Sequence, residues 1–349
     1  MSENTSIPFD DQVVFPEKEE IPELNVVESS PYHQVFGFNG SIYKPTSNLV
    51  IGGTKVLNCN VLMKPNCITA ISQSNKRYLD DFGLLTDYIA PNQLLFQSLG
   101  FTADESKYLM YSKNLDEFPV DVILTGYDVQ GTKKKLEEPQ VEFVLNNGVR
   151  VSKEEATRIL ADWLLDSDFS TNVWEEIYEG CDNLEDAQGM VEFSEESRAY
   201  GELMSPDDAW YALEYACMHS AAEVFIKSMS LAGSVAYTLM QAKYEEGGIL
   251  LVRAQLAFGL DDECEMHLAG ELGTPNTAYL VNKDVFEETG EFECMIESPV
   301  LKHFEAVGYD VDSEEDAPEL PEEVLDELTD VYWYIAEAVC DDLAFELNM

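Results

Sequence analysis

The sequence predicts an α+β fold, with a β-rich N-terminal half followed by a half that mixes helices and strands. The first half has short apolar runs separated by turn dipeptides such as Asn39-Gly40, a hairpin signal. The second half has a long apolar segment with helical periodicity, residues 205–244, followed at once by two strand-like runs. Strands first, then helices beside a hairpin, are typical of an α+β domain.

The N-terminal half begins with an acidic stretch, residues 1–30, that is interrupted by prolines. This composition predicts an extended or flexible arm. The β-like pattern then starts, and Gly52-Gly53 predicts a second turn. The run at 67–72 is expected to continue the sheet, and a helix is expected after Pro91.

The clearest strand of the chain is predicted at residues 118–129, where β-branched residues lie between Pro119 and Gly126. A β-rich N-terminal lobe is therefore assigned to residues 31–148. The pattern then changes, because Ser152 is followed three residues later by Glu155. This capping-box spacing predicts that a helix begins there.

An α+β C-terminal lobe is assigned to residues 149–349, with an acidic insertion near 166–204 to which no regular structure can be assigned. Ser205 and Pro206 suit the N-cap and first position of the long helix. Gly247-Gly248 ends that helix. A strand at 249–260, its returning partner and a final helix from Pro321 complete the prediction.

The composition is globular, but the charge is extreme: 68 acidic residues face 20 basic ones, for a net charge of -48. Direct nucleic-acid binding requires a basic surface and is not expected. Binding to an anionic membrane surface is not expected, for the same reason. Two explanations remain open. Either the charge is a solvated surface that keeps the protein soluble, or it steers in a partner with a basic surface.

The chain lacks the usual signals of membrane, metal and nucleophilic sites. No apolar run reaches the roughly 18 residues of a membrane helix, and the polar N-terminus does not resemble a signal peptide. The seven cysteines form no CxxC pair, and the four histidines show no metal-ligand spacing. We therefore expect a soluble intracellular protein with reduced thiols.

Residues 248–279 read GILLVRAQLAFGLDDECEMHLAGELGTPNTAY. Without a gap, this segment resembles GIILxDTKFEFGxDxDGxLxLxDExxTPDSSR of the phosphoribosylaminoimidazole-succinocarboxamide synthases, or SAICAR synthetases. Phe258-Gly259, Asp261, Glu271 and Thr274-Pro275 match the family.

Three further segments resemble the family, in the family's order. Residues 119–127, PVDVILTGY, resemble its strand PVExVVRGY. Residues 66–72, NCITAIS, resemble DRISAFD more weakly, and residues 320–338, LPEEVLDELTDVYWYIAEA, resemble the tail LPxEVVxxTxxxYxxxYE. Together the matches imply a SAICAR synthetase-like two-lobed α+β fold, with an ATP site between the lobes that the hairpin lines.

The family's enzymes join aspartate to a carboxylated aminoimidazole ribonucleotide with ATP and magnesium. Such chemistry needs cations that hold phosphates and acids that hold the metal. This chain keeps the family's apolar and turn positions but replaces most of its charged ones. The replacements are Arg253 for an acid, Gln255 for the lysine, and Ala257, Gly270, Asn276, Tyr279, Thr125, Asn66, Cys67 and Ser72 for other charged residues.

This division predicts that the fold is retained while catalysis is lost. Removing one charge-stabilising group typically costs about 10²- to 10³-fold in rate. Two residues could still serve a nucleotide: Lys55, which could match the family's glycine-lysine entry motif, and Glu271, which could hold a metal. An exposed strand-end lysine and an ordinary loop acid are the alternative interpretations.

The leading hypothesis is a non-catalytic protein that binds other proteins with basic surfaces, as an adaptor or recruitment factor, without a cofactor. The acidic, aromatic insertion is the candidate contact region. Its candidate residues are Trp174, Tyr178, Phe193 and Tyr200, because aromatic side chains often anchor interfaces. Alternatively, these aromatics pack the insertion onto the domain.

Two other functions remain open. The first is an ATP- and magnesium-dependent amide-forming ligase with an altered nucleotide substrate, in which Lys55 and Arg253 bind the ligand. The second is an acidic mimic of nucleic acid, which would bind a DNA-binding protein in a salt-sensitive way. The protein is expected in the cytoplasm, and in the host cytoplasm if the eroded site belongs to a fast-evolving genome such as a virus's.

Overall fold

The computed structural model describes residues 25–29, 34–38, 41–45, 48–51, 55–59, 61, 64–86, 90–91, 109–112 and 115–340, apart from 147, 182, 191–192, 262 and 314. Three predicted features lie outside the described residues: the arm up to residue 24, the helix after Pro91 and the end of the final helix beyond residue 340.

Two groups of antiparallel strands form the N-terminal part. The strands that flank Asn39-Gly40 pair with each other, as do those that flank Gly52-Gly53, so both predicted hairpins are confirmed; the turn residues themselves lie outside the described set. The larger group has the order β1 (Asn25–Ser29), β2 (Gln34–Phe38), β3 (Ser41–Pro45), β7 (Leu109–Ser112), β6 (Ala90–Pro91), and the smaller pairs β4 (Asn48–Ile51) with β5 (Lys55–Asn58).

Two N-terminal predictions need correction. Residues 25–29 were assigned to the arm but form a strand that pairs with β2. The run at 67–72 is not a strand but part of helix α1 (Lys64–Asp80). Its β-branched residues favour a strand locally, yet Ile68 and Ile71 lie on one helical face and are fully buried, so packing overrides propensity.

The central sheet is antiparallel and carries both the predicted strand and the predicted hairpin. β9 (Val120–Tyr127) lies next to β12 (Ile249–Leu260), and β12 turns into β13 (Met266–Ala269), with Leu260 opposite Met266. The remaining strands are β10 (Lys135–Leu145) and β11 (Arg150–Val151) beyond β9, and β8 (Asp116–Glu117) and β14 (Ala278–Asn282), which also pair with β12.

Helix α6 (Ala209–Glu246) is the long predicted helix, and its inner side covers the central sheet. A methyl group built on Gly233 would lie 3.4 Å from Leu124 Cδ1 and 3.7 Å from Phe258 Cζ. The helix begins later than predicted: Asp208 is the N-cap, and its carboxylate accepts from Trp210 N at 3.0 Å. Ser205 instead ends the preceding helix.

The segment 166–204, which could not be assigned from sequence, is helical. It follows α2 (Lys153–Leu165), whose predicted N-cap is confirmed because Ser152 Oγ accepts from Glu155 N at 3.1 Å. The segment then contains α3 (Asp168–Gly180), α4 (Leu184–Met190) and α5 (Glu195–Met204).

Three helices complete the described chain: α7 (Lys283–Thr289), α8 (Glu297–Val307) and α9 (Glu322–Val339). Helix α9 starts after Pro321 as predicted and packs on α1. All seven cysteines are free, as expected. No helix of the described residues is long and apolar enough to cross a membrane.

Candidate functional site

The two faces of β12 differ in character, because side chains alternate across a strand. Ala254, Leu256 and Phe258 are buried on the face that packs against α6. Arg253 and Gln255 lie on the opposite, half-buried face. The residues that match the family pattern as apolar therefore face the core, and the replaced charged ones face away from it.

The open face of β12 forms the floor of a cleft of about 330 Å³. Four of the positions where charges have been replaced line this cleft together: Arg253, Gln255, Asn276 and Tyr279. Ile123 of the neighbouring β9 also lies on the floor. The other lining residues are Leu49, Val50, Gly148, Arg150, Pro275, Thr277, Ala278, Cys294, Ile296 and Glu297.

Arg253 is the half-buried cation of the cleft. Its guanidinium carbon lies 5.8 Å from the ring centroid of Tyr279, a cation–π contact. Its cross-strand neighbours are Thr125 on β9 and Tyr279 on β14, both neutral. No carboxylate of a described residue lies within ion-pair distance of its guanidinium.

Most other polar groups of the cleft already have partners. Gln255 Nε2 donates to Asp121 Oδ2 at 2.7 Å. Arg150 Nη1, at the rim, donates to Glu142 Oε1 at 3.1 Å. The hydroxyl of Tyr279 donates to Phe292 O at 2.9 Å, and burial raises the pKa of Tyr279 to about 12, so it is a neutral donor at physiological pH.

Glu271 lies beside the cleft in a polar network and does not line the cleft itself. Its carboxylate accepts from the hydroxyl of Thr274 and from Asn276 Nδ2 at 3.3 Å. Asn276 Oδ1 in turn accepts from the hydroxyl of Tyr332 at 2.8 Å. The carboxylate that was considered as a metal ligand therefore serves to hold the loop after β13 against α9.

A lysine that the sequence did not single out belongs to the same network. Lys64, the first residue of α1, is fully buried, and its ammonium lies 5.4 Å from the ring centroid of Tyr332. Burial lowers the pKa of Lys64 to about 8, against the opposing effects of Cys59 and Glu271. The ammonium thus stabilises Glu271 from the protein interior and is closed to solvent.

Lys55, the other nucleotide-binding candidate, does not line the cleft either. Its ammonium donates to the backbone carbonyls of Ser313, at 3.2 Å, and Glu315. It also lies 5.2 Å from the ring centroid of Tyr309. The ammonium of Lys55 is thus bound by the acidic loop between α8 and α9.

The turn after β12 brings together three possible metal ligands, Asp261, Glu265 and His267, within 4.8 Å of one another. The carboxylate of Asp261 already accepts from Glu265 N at 2.9 Å and from His267 Nε2 at 2.9 Å. This network explains the turn as a capped hairpin without a metal.

The four aromatic candidates of the insertion have different environments. Tyr200 is only 6% exposed, its hydroxyl donates to Asp162, and its ring lies 4.7 Å from that of His219. Trp174 is half-buried, with its ring centroid 6.2 Å from that of Trp210. Tyr200 and Trp174 therefore pack the insertion onto α6, and Tyr200 is corrected from a contact residue to a core residue. The side chain of Tyr178, in α3, lies outside the described set.

Phe193 is half-buried and lines a groove of about 630 Å³ between α4, α5 and α6, which we call the α5–α6 groove. Three exposed apolar residues flank it: Leu203 (74% exposed), Met204 and Tyr211. Their exposure was not visible in the sequence. The other groove residues are Gln188, Arg198, Glu202, Ser205, Pro206, Asp207, Ala209, Ala212, Leu213 and Ala216.

One serine–histidine pair resembles a nucleophilic site only by distance. Ser197 Oγ lies 3.0 Å from His219 Nδ1. Ser197 is fully buried and His219 nearly so, and burial lowers the pKa of His219. Because no substrate can reach the hydroxyl, the pair is structural, which agrees with the absence of a nucleophile motif.

The fold is that of the SAICAR synthetases. SAICAR synthase from Saccharomyces cerevisiae, complexed with SAICAR, matches with a TM-score of 0.60 at 12% identity, over 91% of this chain and 95% of that chain. A second SAICAR synthase matches with a TM-score of 0.57 at 13% identity, over the same shares of the two chains.

A phosphoribosylaminoimidazole-succinocarboxamide synthase from Ehrlichia chaffeensis also matches, with a TM-score of 0.47 at 12% identity, over 90% of this chain and 98% of that chain. No protein-family model matches the chain, and no curated protein sequence matches it. The two SAICAR synthases with TM-scores of 0.60 and 0.57 confirm the predicted SAICAR synthetase-like α+β fold at the level of structure.

Proposed function

We propose that this chain is a non-catalytic SAICAR synthetase-like protein that acts as a protein-binding adaptor or recruitment factor. The observation that carries the proposal is the division of β12 into two faces. The core face keeps the family's apolar pattern, with Phe258 buried. On the cleft face, Arg253 and Gln255 stand where the family has an acid and a lysine. Selection for the fold without selection for the chemistry produces this division.

The residues of the cleft do not fit ATP with magnesium. Mg²⁺ is held by carboxylates and phosphates in octahedral geometry, and among the described residues Glu297 is the single carboxylate that lines the cleft. Lys55 is bound to backbone carbonyls, and Glu271 is bound within its own network. No specific observation therefore favours the ligase alternative.

The α5–α6 groove supports the protein-binding part of the proposal. It combines exposed apolar side chains at one end with the carboxylates of Glu202 and Asp207 in its lining. The surrounding insertion, 166–204, has twelve acidic residues and one basic residue, Arg198. A groove lined by carboxylates, with exposed apolar side chains beside it, fits a basic protein segment that carries an apolar anchor. We therefore propose this groove as the partner site, with Phe193 in its wall.

The test is affinity capture of partners with the wild-type protein, Leu203→Asp and Leu231→Asp, at 0.15 M and 0.3 M salt. Both leucines are exposed, at 74% and 69%, so both variants should fold and carry the same added charge. We expect capture to fall about tenfold or more for Leu203→Asp, because an exposed apolar contact beside the groove is lost. Capture by Leu231→Asp, on the outer face of α6, should not change.

Equal capture by all three proteins would contradict the assignment of the groove. Capture of a DNA-binding protein that ignores Leu203→Asp but is lost at 0.3 M salt would instead support the nucleic-acid mimic, because salt screens exposed charge pairs.

A further inference from the structure

Two guanidinium groups, Arg253 and Arg150, line the cleft on the open face of β12 together with one carboxylate, Glu297. Elsewhere acids dominate, since the chain has 68 acidic residues and 20 basic ones. Arg150 forms an ion pair with Glu142 at the rim, so Arg253 is the cation of the lining that has no ion pair among the described residues.

The guanidinium of Arg253 has an aromatic contact but no ion pair among the described residues. Its guanidinium is half-buried and contacts the ring of Tyr279, but no carboxylate of the described chain pairs with it. Asp121, on the neighbouring strand β9, accepts from Gln255, and Glu142 pairs with Arg150 at the rim. A partly desolvated cation without a counter-ion is unfavourable, whereas a bound anion would satisfy its donors.

We propose that this cleft binds a small organic anion through the guanidinium of Arg253, with Arg150 at the rim and without a metal. The planar guanidinium binds a carboxylate or a phosphate in bidentate geometry. The volume of about 330 Å³ is at the lower end of the range for small-molecule sites. Ile123, Pro275 and Ile296 provide apolar walls for the body of the ligand. The inference is independent of the α5–α6 groove.

The experiment is isothermal titration of the full-length protein with inorganic phosphate and, separately, with malonate. Ionic strength is kept at about 0.15 M and EDTA is present throughout, which removes metal-dependent binding. We expect saturable binding of at least one probe, and its identity distinguishes a phosphate from a carboxylate ligand. Arg253→Gln should weaken that binding about tenfold or more, because a charge-assisted bidentate contact is lost.

Arg158→Gln is the matched control. It removes one positive charge from the exposed side of α2, away from the cleft, so its net charge equals that of Arg253→Gln, and it should bind the probe like the wild type. Arg253→Lys, which keeps the charge but loses the planar guanidinium, should give an intermediate affinity. If wild-type protein binds neither probe at millimolar concentration, or if Arg253→Gln binds as tightly as Arg158→Gln, the proposal is overturned.

Discussion

Replacing Phe258 with alanine should lower the free energy of unfolding by about 3–5 kcal/mol, the usual cost of truncating a buried aromatic residue. Phe258 is fully buried between the central sheet and α6, so the change leaves a cavity in the core. Replacing Arg253 with alanine, five residues earlier on the same strand, should change the free energy by no more than about 1 kcal/mol. The Arg253→Ala variant loses the cation–π contact with Tyr279 and leaves no cavity in the core.

Urea denaturation of the two variants beside the wild type measures this difference. The comparison is matched, because both substitutions shorten a large side chain to the same methyl group on one strand. Equal destabilisation by the two variants would show that the open face of β12 is as important for folding as the core face, and would contradict the division on which the proposed function rests.

Lys64 should make the stability of the protein depend on pH above neutrality. The ammonium is fully buried, and its pKa falls from 10.5 to about 8 on folding. Between these pH values the unfolded chain holds a proton that the folded chain has released, so stability rises with pH in that window. At about 1.36 kcal/mol per pKa unit, the full rise is roughly 3 kcal/mol.

The measurement is the difference in free energy of unfolding between wild type and Lys64→Met, followed from pH 7 to pH 10.5. Titration of other groups occurs in both proteins and cancels in the difference. Lys153→Met, at the exposed start of α2, corrects for the loss of one charge. If the difference in free energy of unfolding between wild type and Lys64→Met does not change with pH, the ammonium of Lys64 is hydrated, contrary to its position between α1 and α9.

The parts of the fold that the sequence predicted are those in which local pattern and tertiary packing agree. β12 alternates apolar and polar residues and packs one face on α6, so both its strand character and its hairpin were visible. The spacing of Ser152 and Glu155 predicts the start of α2, because the capping contact between these two residues is local. The resemblance to SAICAR synthetases depended on the same positions, since Gly259 and Phe258 are fixed by close packing.

The predictions that failed are those that tertiary contacts decide. Residues 67–72 have strand propensity, but the contact of α1 with α9 makes them helical. The three helices between 168 and 204 are stabilised by packing on α6, where Gly201 would clash with Ala212 O if it carried a side chain. Ser205 resembles an N-cap, yet it closes α5.

The candidate site was predicted in part. The sequence marked Arg253, Gln255, Asn276 and Tyr279 as replaced charges, and the structure brings all four to one cleft. Lys64 was missed, because an isolated lysine carries no signal of burial. The α5–α6 groove was missed as well, because exposure of Leu203 and Tyr211 depends on how two helices meet. Lys55 and Glu271 stay untested as nucleotide ligands, although both have partners within the chain.

The loss of catalysis can be tested by isothermal titration with ATP at millimolar concentration, with magnesium and again with EDTA. We expect no magnesium-dependent binding and no formation of ADP on a folded sample; weak binding that is equal in EDTA and is lost in Arg253→Gln belongs to the anion site. Saturable binding that requires magnesium and is abolished by Glu271→Gln or Lys55→Met would contradict the account and make the chain an ATP-dependent ligase.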